Sequence, residues 1–219
     1  MPSSTSSARI LKADTFGRVM LVSGEQGLLV RRELDAGPAS LRWLARWLAG
    51  REARALAALG TMPATPRLLA FDRLRLERSF MDGQAMYLAP PHGDLAYFRA
   101  ARRLLQQLHR RGIVHNDLAK EANWLVQADG SPGLIDFQLA MVGRPRARWL
   151  RLLAREDLRH LLKHKRTYCP QAITPVERRL LKRRSWLRQL WFASGKPVYR
   201  FITRRILRWR DNEGRGPRA

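Results

Sequence analysis

The stretch that decides the fold reads IVHNDLAKEANWLV from Ile113 to Val126, and the run LIDF at Leu134–Phe137 follows it closely. In both segments apolar, strand-like residues flank the polar ones, which predicts two neighbouring turns between short strands. Asp117, Asn123 and Asp136 supply oxygen atoms suited to binding a metal ion or accepting a proton from a hydroxyl. Phosphoryl transfer needs this combination, because the protein positions the nucleophile and Mg²⁺ neutralises charge.

The ordered series His-x-Asp-Leu, Asn and Asp-Phe resembles the catalytic loop and metal-binding segment of the protein-kinase-like superfamily. In detail it is similar to the small bacterial lipopolysaccharide (Kdo/heptose) kinases and, more distantly, to RIO-type kinases. This resemblance spans about residues 16–165. It implies ATP and Mg²⁺ as cofactors, with Asp117 as the catalytic aspartate and Asn123 and Asp136 as metal ligands.

Two further residues of this segment receive roles from the resemblance. His115 is expected to be a scaffold residue packed near Phe137, although a histidine beside a strand is also often simply structural. Lys120 either contacts the transferred phosphate or is an exposed, solvated lysine. The resemblance therefore gives a catalytic group of Asp117, Lys120 and His115.

The N-terminal part resembles the family through three residues on the nucleotide side. Gly17 is either the remnant of a glycine-rich phosphate loop or an ordinary turn residue. Arg31 follows a strand where the family has a lysine, so we expect it to pair with Glu52 and with nucleotide phosphates. Glu52 lies on the apolar stripe of a predicted helix, where a carboxylate needs a cationic partner. A purely structural salt bridge is the alternative for this pair.

Several departures from the kinase pattern are visible. Five residues separate Asp117 from Asn123, whereas the kinase signature has four, so the loop must bulge by one residue. Asn116 replaces the arginine that receives an activation-loop phosphate in many protein kinases, and Gln138 replaces the glycine after Asp136-Phe137. No Ala-Pro-Glu segment follows. We hypothesise an enzyme that is constitutively competent.

The remaining sequence predicts an α+β, two-lobed protein-kinase-like fold with a small N-terminal antiparallel sheet, one helix and a mainly helical C-lobe. The expected domains are an N-lobe at residues 1–90, a catalytic C-lobe at 91–170 and basic amphipathic helices at 171–219. The expected elements are strands within Ile10–Val30, a helix over Ala39–Leu59, a strand pair at Arg67–Leu76 and Gln84–Leu88 with a turn at Asp82-Gly83, a linker at Pro90–Gly93, and helices from Asp94 to Arg111 and over Arg155–Lys165.

The charge is strongly basic and unevenly distributed. The chain of 219 residues has 42 Lys and Arg against 18 Asp and Glu, a net charge of +24. Fourteen of the basic residues and only two acids lie in residues 178–219. Such a tail suits an anionic membrane surface. Packing of its apolar stripes on the C-lobe is an equal alternative, and a nucleic-acid partner is a third that only the charge supports.

Other features bear on the compartment. The single cysteine, Cys169, excludes an internal disulfide and suits a reducing cytosol. No apolar run is long enough to span a bilayer, and the polar start at residues 1–7 is not expected to be a secretory signal. These observations predict a cytoplasmic protein, peripheral at the inner face of the cytoplasmic membrane.

The sequence thus predicts a Mg²⁺-ATP-dependent kinase that phosphorylates a hydroxyl. A lipopolysaccharide core sugar is the preferred acceptor, and a protein serine or threonine is the alternative. A pseudokinase that binds an anionic partner is a second class, favoured by the missing strand lysine and opposed by the intact Asp117, Asn123 and Asp136. Oligomeric state is not predicted.

Overall fold

The computed structural model describes residues 8–14, 17–24 and 27–182 of the chain. The chain divides into one compact unit over Met1–Ile173 and a second over Thr174–Ala219. Most of the two predicted C-terminal amphipathic helices lies beyond residue 182 and is therefore outside the described residues. The fold and the site below belong to the first unit.

The N-terminal half forms an antiparallel sheet with one long helix, as the sequence predicts. The sheet has the order β1-β2-β3-β5-β4. Along the chain, its strands and the helix are β1 (Ala8–Asp14), β2 (Gly17–Gly24), β3 (Gly27–Glu33), α1 (Arg42–Leu59), β4 (Leu68–Phe71) and β5 (Arg75–Ser79). A 3₁₀ turn at Ala39–Leu41 precedes α1.

The predicted pairing of Arg67–Leu76 with Gln84–Leu88 is wrong. The first segment instead begins a hairpin of its own, in which β4 pairs with β5. The turn is made by Asp72, whose Oδ1 accepts the backbone N–H groups of Leu74 at 2.7 Å and Arg75 at 2.9 Å. This side-chain acceptor is a recognised turn former that the sequence interpretation overlooked.

The C-terminal half of the unit is built on two long helices with short strand pairs between them. Its elements are β6 (Gln84–Ala85), α2 (Leu95–Arg110), β7 (Ile113–Val114), β8 (Trp124–Val126), β9 (Pro132–Leu134), β10 (Met141–Val142) and α3 (Arg148–Tyr168). β6, β8 and β9 form one small sheet, and β7 pairs with β10. In the second unit, α4 covers Pro175–Lys182.

The boundaries of α2 follow its sequence signals. Asp94 caps the start, since its Oδ1 accepts the N–H of Tyr97 at 2.9 Å. Gly112, with φ of 73°, follows the end. By contrast, the helix expected over Arg155–Lys165 is the longer α3.

A continuous core joins these elements. Its buried residues come from the C-terminal half of α1, from α2, from α3 and from the strands around the quoted motif, and the largest are Trp124, Tyr97 and Phe137. A smaller cluster of Leu34, Ala49, Ala53 and Leu76 seals α1 against the N-terminal sheet. The mixed α+β architecture is thereby confirmed. Among the helices that the structure describes, none combines the length and apolar composition required to cross a bilayer.

Gly112 offers a stability test of the turn that leads into the motif. A Cβ there would collide with the carbonyl oxygen of Gly143, whereas at Gly130, also at positive φ (77°), a Cβ would meet nothing within 4 Å. We expect Gly130→Ala to cost about 1 kcal/mol through backbone strain alone. Gly112→Ala should cost about 3 kcal/mol, because the backbone must also shift. Urea unfolding measures both, and equal losses would contradict the close approach.

Candidate active site

The centre of the site is the loop after β7. Oδ2 of Asp117 accepts a hydrogen bond from Lys120 Nζ at 2.7 Å and another from Asn123 Nδ2 at 3.0 Å. The side chain of Asp117 is 14% exposed. Because both bonds fall on Oδ2, Oδ1 is the oxygen left to accept a hydrogen bond from an incoming hydroxyl group.

The extra residue between Asp117 and Asn123 is absorbed without separating the two side chains. Successive turns join Lys120 N to Asp117 O at 3.4 Å and Asn123 N to Lys120 O at 3.2 Å, and Glu121–Asn123 form a 3₁₀ turn. Asn123 is buried, and its Nδ2 also donates to the Asp117 carbonyl at 2.9 Å. The bulge predicted from the spacing is therefore a tightened turn that keeps Asn123 against Asp117.

Asp136 lies beside this loop. The N–H of Ile135 donates to the carbonyl of Asn123 at 3.1 Å, which places the following Asp136 next to the catalytic loop. Asp136 has φ of 66°, a left-handed backbone, and its Oδ1 is buried without a hydrogen-bond partner among the described residues. A buried, unpartnered carboxylate oxygen is costly unless a ligand satisfies it.

The donor set fits Mg²⁺. The amide nitrogen of Asn123 donates to Asp117, which leaves the amide oxygen as a ligand, and Asp136 Oδ1 is the second hard oxygen. Mg²⁺ commonly takes one or two carboxylates from the protein and completes its octahedron with water and phosphate oxygens. Asn123 and Asp136 together are a sufficient protein contribution.

His115 is a scaffold residue in the structure. It is fully buried, and its Nε2 lies 2.9 Å from the carbonyl oxygen of Ile135. Its ring lies against Phe137, with 4.7 Å between the centroids. His115 thus joins the catalytic loop to the segment of Asp136.

The sequence interpretation missed the residue that holds the loop from behind. Asp157 of α3 is 1% exposed, and its two carboxylate oxygens accept the backbone N–H groups of His115 at 2.8 Å and Asn116 at 3.0 Å. His109 Nε2 lies 3.2 Å from the same carboxylate. Asn116 is thereby held in a left-handed conformation with φ of 63°. The sequence signal that could have revealed this role is that Asp157 is an acidic residue at a helix position that faces the core.

Two helical turns further along α3, His164 continues this support. Nε2 of His164 lies 2.8 Å from the Leu118 carbonyl oxygen, directly after Asp117. Burial lowers the pKa of His164, and it lowers the pKa of His160 to about 4. Both rings therefore stay neutral at pH 7, and His164 adds no positive charge beside the Leu118 carbonyl oxygen.

On the N-terminal side, the prediction that Arg31 pairs with Glu52 is wrong. The buried Glu52 of α1 lies 2.8 Å from Arg78 Nη1 of β5. The contact is an ion pair rather than a hydrogen bond, because the two groups are not aligned for one. Arg31 instead donates from Nε to Glu77 Oε1 at 2.7 Å.

Strand register explains this correction. Arg31 is paired with Glu77 and Val30 with Arg78, so Arg31 and Arg78 point to opposite faces of the sheet. Arg32 is paired with Leu76, two residues before Arg78, and therefore shares the α1-facing side with Arg78. No described residue forms an ion pair with Arg32. Arg32 is therefore the basic residue of β3 that lies on the same face of the sheet as Arg78, the partner of Glu52.

Gly17 begins β2 and lies against Glu33 at the end of β3. A side chain there would collide with the Glu33 carbonyl oxygen, and the backbone has φ of 125°. The glycine is thus required by strand packing, whatever its role toward a phosphate. Since residues 15 and 16 of the adjoining turn are outside the described part, the phosphate-loop prediction stays a prediction.

Side-chain hydrogen bonds hold α1 against the segment that follows Asp136. Arg51 Nη2 donates to the carbonyl oxygens of Leu139 at 2.8 Å and Ala140 at 3.1 Å, and Asn116 Nδ2 donates to the Leu139 carbonyl at 3.1 Å. Burial lowers the pKa of Arg51. Residues 137–155 contain no Ser, Thr or Tyr. No hydroxyl of this segment can therefore carry a phosphate, and the bonds from Arg51 and Asn116 hold its backbone in the structure.

The arrangement of Asp117, Asn123 and Asp136 is one that phosphoryl transfer can use. The chain belongs to the phosphotransferase enzyme family APH, whose profile matches residues 12–159. No curated protein sequence matches the chain.

The structure is similar to the crystal structure of the Rio2 kinase from Chaetomium thermophilum, with a TM-score of 0.58 and 18% sequence identity. The match covers 75% of this chain and 57% of that chain, so this protein spans a little over half of that kinase's length. The similarity confirms the predicted kinase-like fold.

Asp157 offers a test of how the loop is held. Asp157→Asn turns one acceptor toward a backbone N–H into a donor, so we expect the free energy of unfolding to fall by about 2–3 kcal/mol. kcat should fall with it, while KM for ATP changes little, because Asp157 positions the loop. Urea unfolding and steady-state kinetics measure both. Asp129→Asn is the matched control, since Asp129 also accepts a backbone N–H, that of Ser131, but in an exposed turn. Equal kcat in both variants would contradict the positioning role.

Proposed function

We propose that this protein is a Mg²⁺-ATP-dependent kinase that transfers the γ-phosphoryl group of ATP to a hydroxyl of a lipopolysaccharide core sugar. The observation that carries the reaction type is the set Asp117, Asn123 and Asp136. Oδ1 of Asp117 is left to accept a hydrogen bond from a hydroxyl. Oδ1 of Asp136 is buried without a hydrogen-bond partner among the described residues. Asp136 directly follows Ile135, whose N–H donates to the Asn123 carbonyl oxygen.

Each residue of this set has a distinct task. Asp117 orients the acceptor hydroxyl through Oδ1 and accepts its proton. Lys120, 2.7 Å from Asp117 Oδ2, favours the ionised carboxylate. Its side chain is 60% exposed, so Nζ is accessible to the phosphoryl group being transferred. Asn123 and Asp136 hold Mg²⁺, which when bound neutralises charge on the phosphate oxygens.

Arg32 is the residue we assign to the nucleotide phosphates in place of the expected Arg31. It lies on the same face of the sheet as Arg78, and Arg78 already neutralises Glu52. A guanidinium that no carboxylate of the described residues pairs with suits bidentate contact with phosphate oxygens.

Two features favour a glycolipid as the acceptor. The motif resembles the lipopolysaccharide sugar kinases, and a net charge of +24 favours an anionic glycolipid. This acceptor implies a cytoplasmic protein, peripheral at the inner face of the cytoplasmic membrane, with the basic C-terminal part as a membrane contact. A protein serine or threonine is the second candidate, because the sequence motif resembles RIO-type kinases and one similar solved structure is that of a Rio2 kinase.

Labelled ATP tests the reaction and the acceptor together. The protein is incubated with [γ-³²P]ATP and Mg²⁺ and, in parallel, with purified lipopolysaccharide or a protein extract. We expect label on the lipopolysaccharide, and Asp117→Asn should lower the rate about 10²–10⁴-fold, because the general base is lost. Asp129→Asn is the folded control. Label on protein alone would favour the second candidate. No transfer and no ATP hydrolysis above the Asp117→Asn background would leave a nucleotide-binding pseudokinase.

The two neighbouring arginines of β3 form a matched pair for the nucleotide site. Arg32→Ala should raise KM for ATP about tenfold, the loss expected for a charge-assisted contact. Arg31→Ala should leave KM within about twofold and lower stability by under about 1 kcal/mol, because it breaks only a part-exposed salt bridge. Equal effects on KM, or a larger effect at Arg31, would contradict the assignment made from strand register.

A further inference from the structure

The outer side of α1 carries large apolar and basic side chains together. Trp43 is 67% exposed and Trp47 is 50% exposed. At 100° per residue, these tryptophans share one half of the helix with three arginines, opposite the buried half that carries Glu52. We call this the tryptophan–arginine face, which consists of Arg42, Trp43, Arg46, Trp47 and Arg54 of α1 with the adjoining strand β10.

β10 extends the apolar part of this face. Met141 is 39% exposed and Val142 is 45% exposed, and both line a cavity of about 300 Å³ together with Trp47 and Arg54. Exposed apolar side chains that cluster in this way mark a contact surface more often than a solvated one.

The arginines of the face are available to an anion. Arg42, Arg46 and Arg54 each donate from Nε to a backbone carbonyl oxygen, at 3.4, 3.2 and 3.2 Å. These bonds orient the guanidinium groups, and within the described part of the chain no hydrogen bond from their terminal nitrogens is present. No carboxylate of the described residues forms an ion pair with any of the three. Glu52, the single acid of α1, is buried against Arg78.

We propose that the tryptophan–arginine face docks on an anionic phospholipid membrane. Tryptophan prefers the headgroup level of a bilayer, arginine binds lipid phosphates, and the aliphatic side chains of Met141 and Val142 suit acyl chains. A nucleic acid would also use arginine and tryptophan, but it offers no partner to the aliphatic side chains. The proposal rests on the membrane association proposed above, and it assigns part of that membrane contact to α1 and β10 in addition to the basic C-terminal part.

The geometry gives this docking a consequence for the active site. β10 begins five positions after Asp136 in the sequence. It pairs with β7, and β7 leads directly into His115 and Asp117. Membrane contact at β10 therefore holds the catalytic loop close to the bilayer surface, where a glycolipid acceptor lies.

A site-specific fluorescent label tests the contact in the full-length chain. Cys169 is buried, so a cysteine introduced by Trp43→Cys can be labelled selectively with the polarity-sensitive dye NBD. Leu88→Cys is the matched control, since Leu88 is 63% exposed and lies outside the face. With vesicles of phosphatidylcholine and phosphatidylglycerol, we expect a blue shift and an intensity rise of about twofold at position 43, with no change at position 88. Pure phosphatidylcholine vesicles should leave both labels unchanged.

Co-sedimentation with the same vesicles gives the second readout. Trp43→Ala should lower the partition coefficient about tenfold, whereas Leu88→Ala should leave it unchanged. Sedimentation of the protein without any change at position 43 would overturn the proposed face and leave membrane binding to the C-terminal part. Absence of sedimentation would overturn both. A response at position 43 to an oligonucleotide, but not to vesicles, would assign the face to nucleic acid. Phosphoryl transfer enters none of these readouts.

Discussion

The carboxylate of Asp157 is the group on which the geometry of the active site depends. It is nearly inaccessible to water, and such a charge is tolerated only when hydrogen bonds replace its hydration. The backbone N–H groups of His115 and Asn116 supply those bonds, so the charge and the loop conformation stabilise each other. The direction in which Asp117 leaves the loop follows from this pairing. α3 thus fixes the backbone conformation of the catalytic loop in addition to contributing to the core.

The carbonyl oxygen of Leu139 has a comparable role on the opposite side of the loop. It receives hydrogen bonds from Asn116 of the loop and from Arg51 of α1, so three elements distant in sequence meet at one acceptor. Asn116 and Asp136 both have left-handed backbones, which non-glycine residues adopt at a cost. Strain of this kind persists when the surroundings over-determine the conformation, as they do here.

The parts of the site that were predictable from the sequence are local. Asp117, Asn123 and Asp136 lie on adjacent turns of a short hairpin region, and residue order along the chain was enough to relate them. The partner of Glu52 was not predictable in the same way. A strand presents alternate residues to opposite faces, so the choice between Arg31 and Arg32 depends on a register of one residue. Arg78 and Asp157 act across long sequence separations, where only the folded structure shows which charge meets which. The β4–β5 hairpin was missed for another reason, because Asp72 forms its turn without glycine or proline.

The identity of the residue that pairs with Glu52 also bears on how nucleotide binding is coupled to the position of α1. A ligand shifts a conformational equilibrium only by its differential affinity for the two states. Arg78 on β5 and Arg51 on α1 itself hold the helix, and neither is the cation that we assign to the nucleotide. If Arg32 binds the nucleotide as we propose, nucleotide binding is not needed to recruit the helix, because Arg78 and Arg51 already hold it. The position of α1 is then a property of the protein's own ion pair and hydrogen bonds, and it is set before either substrate arrives.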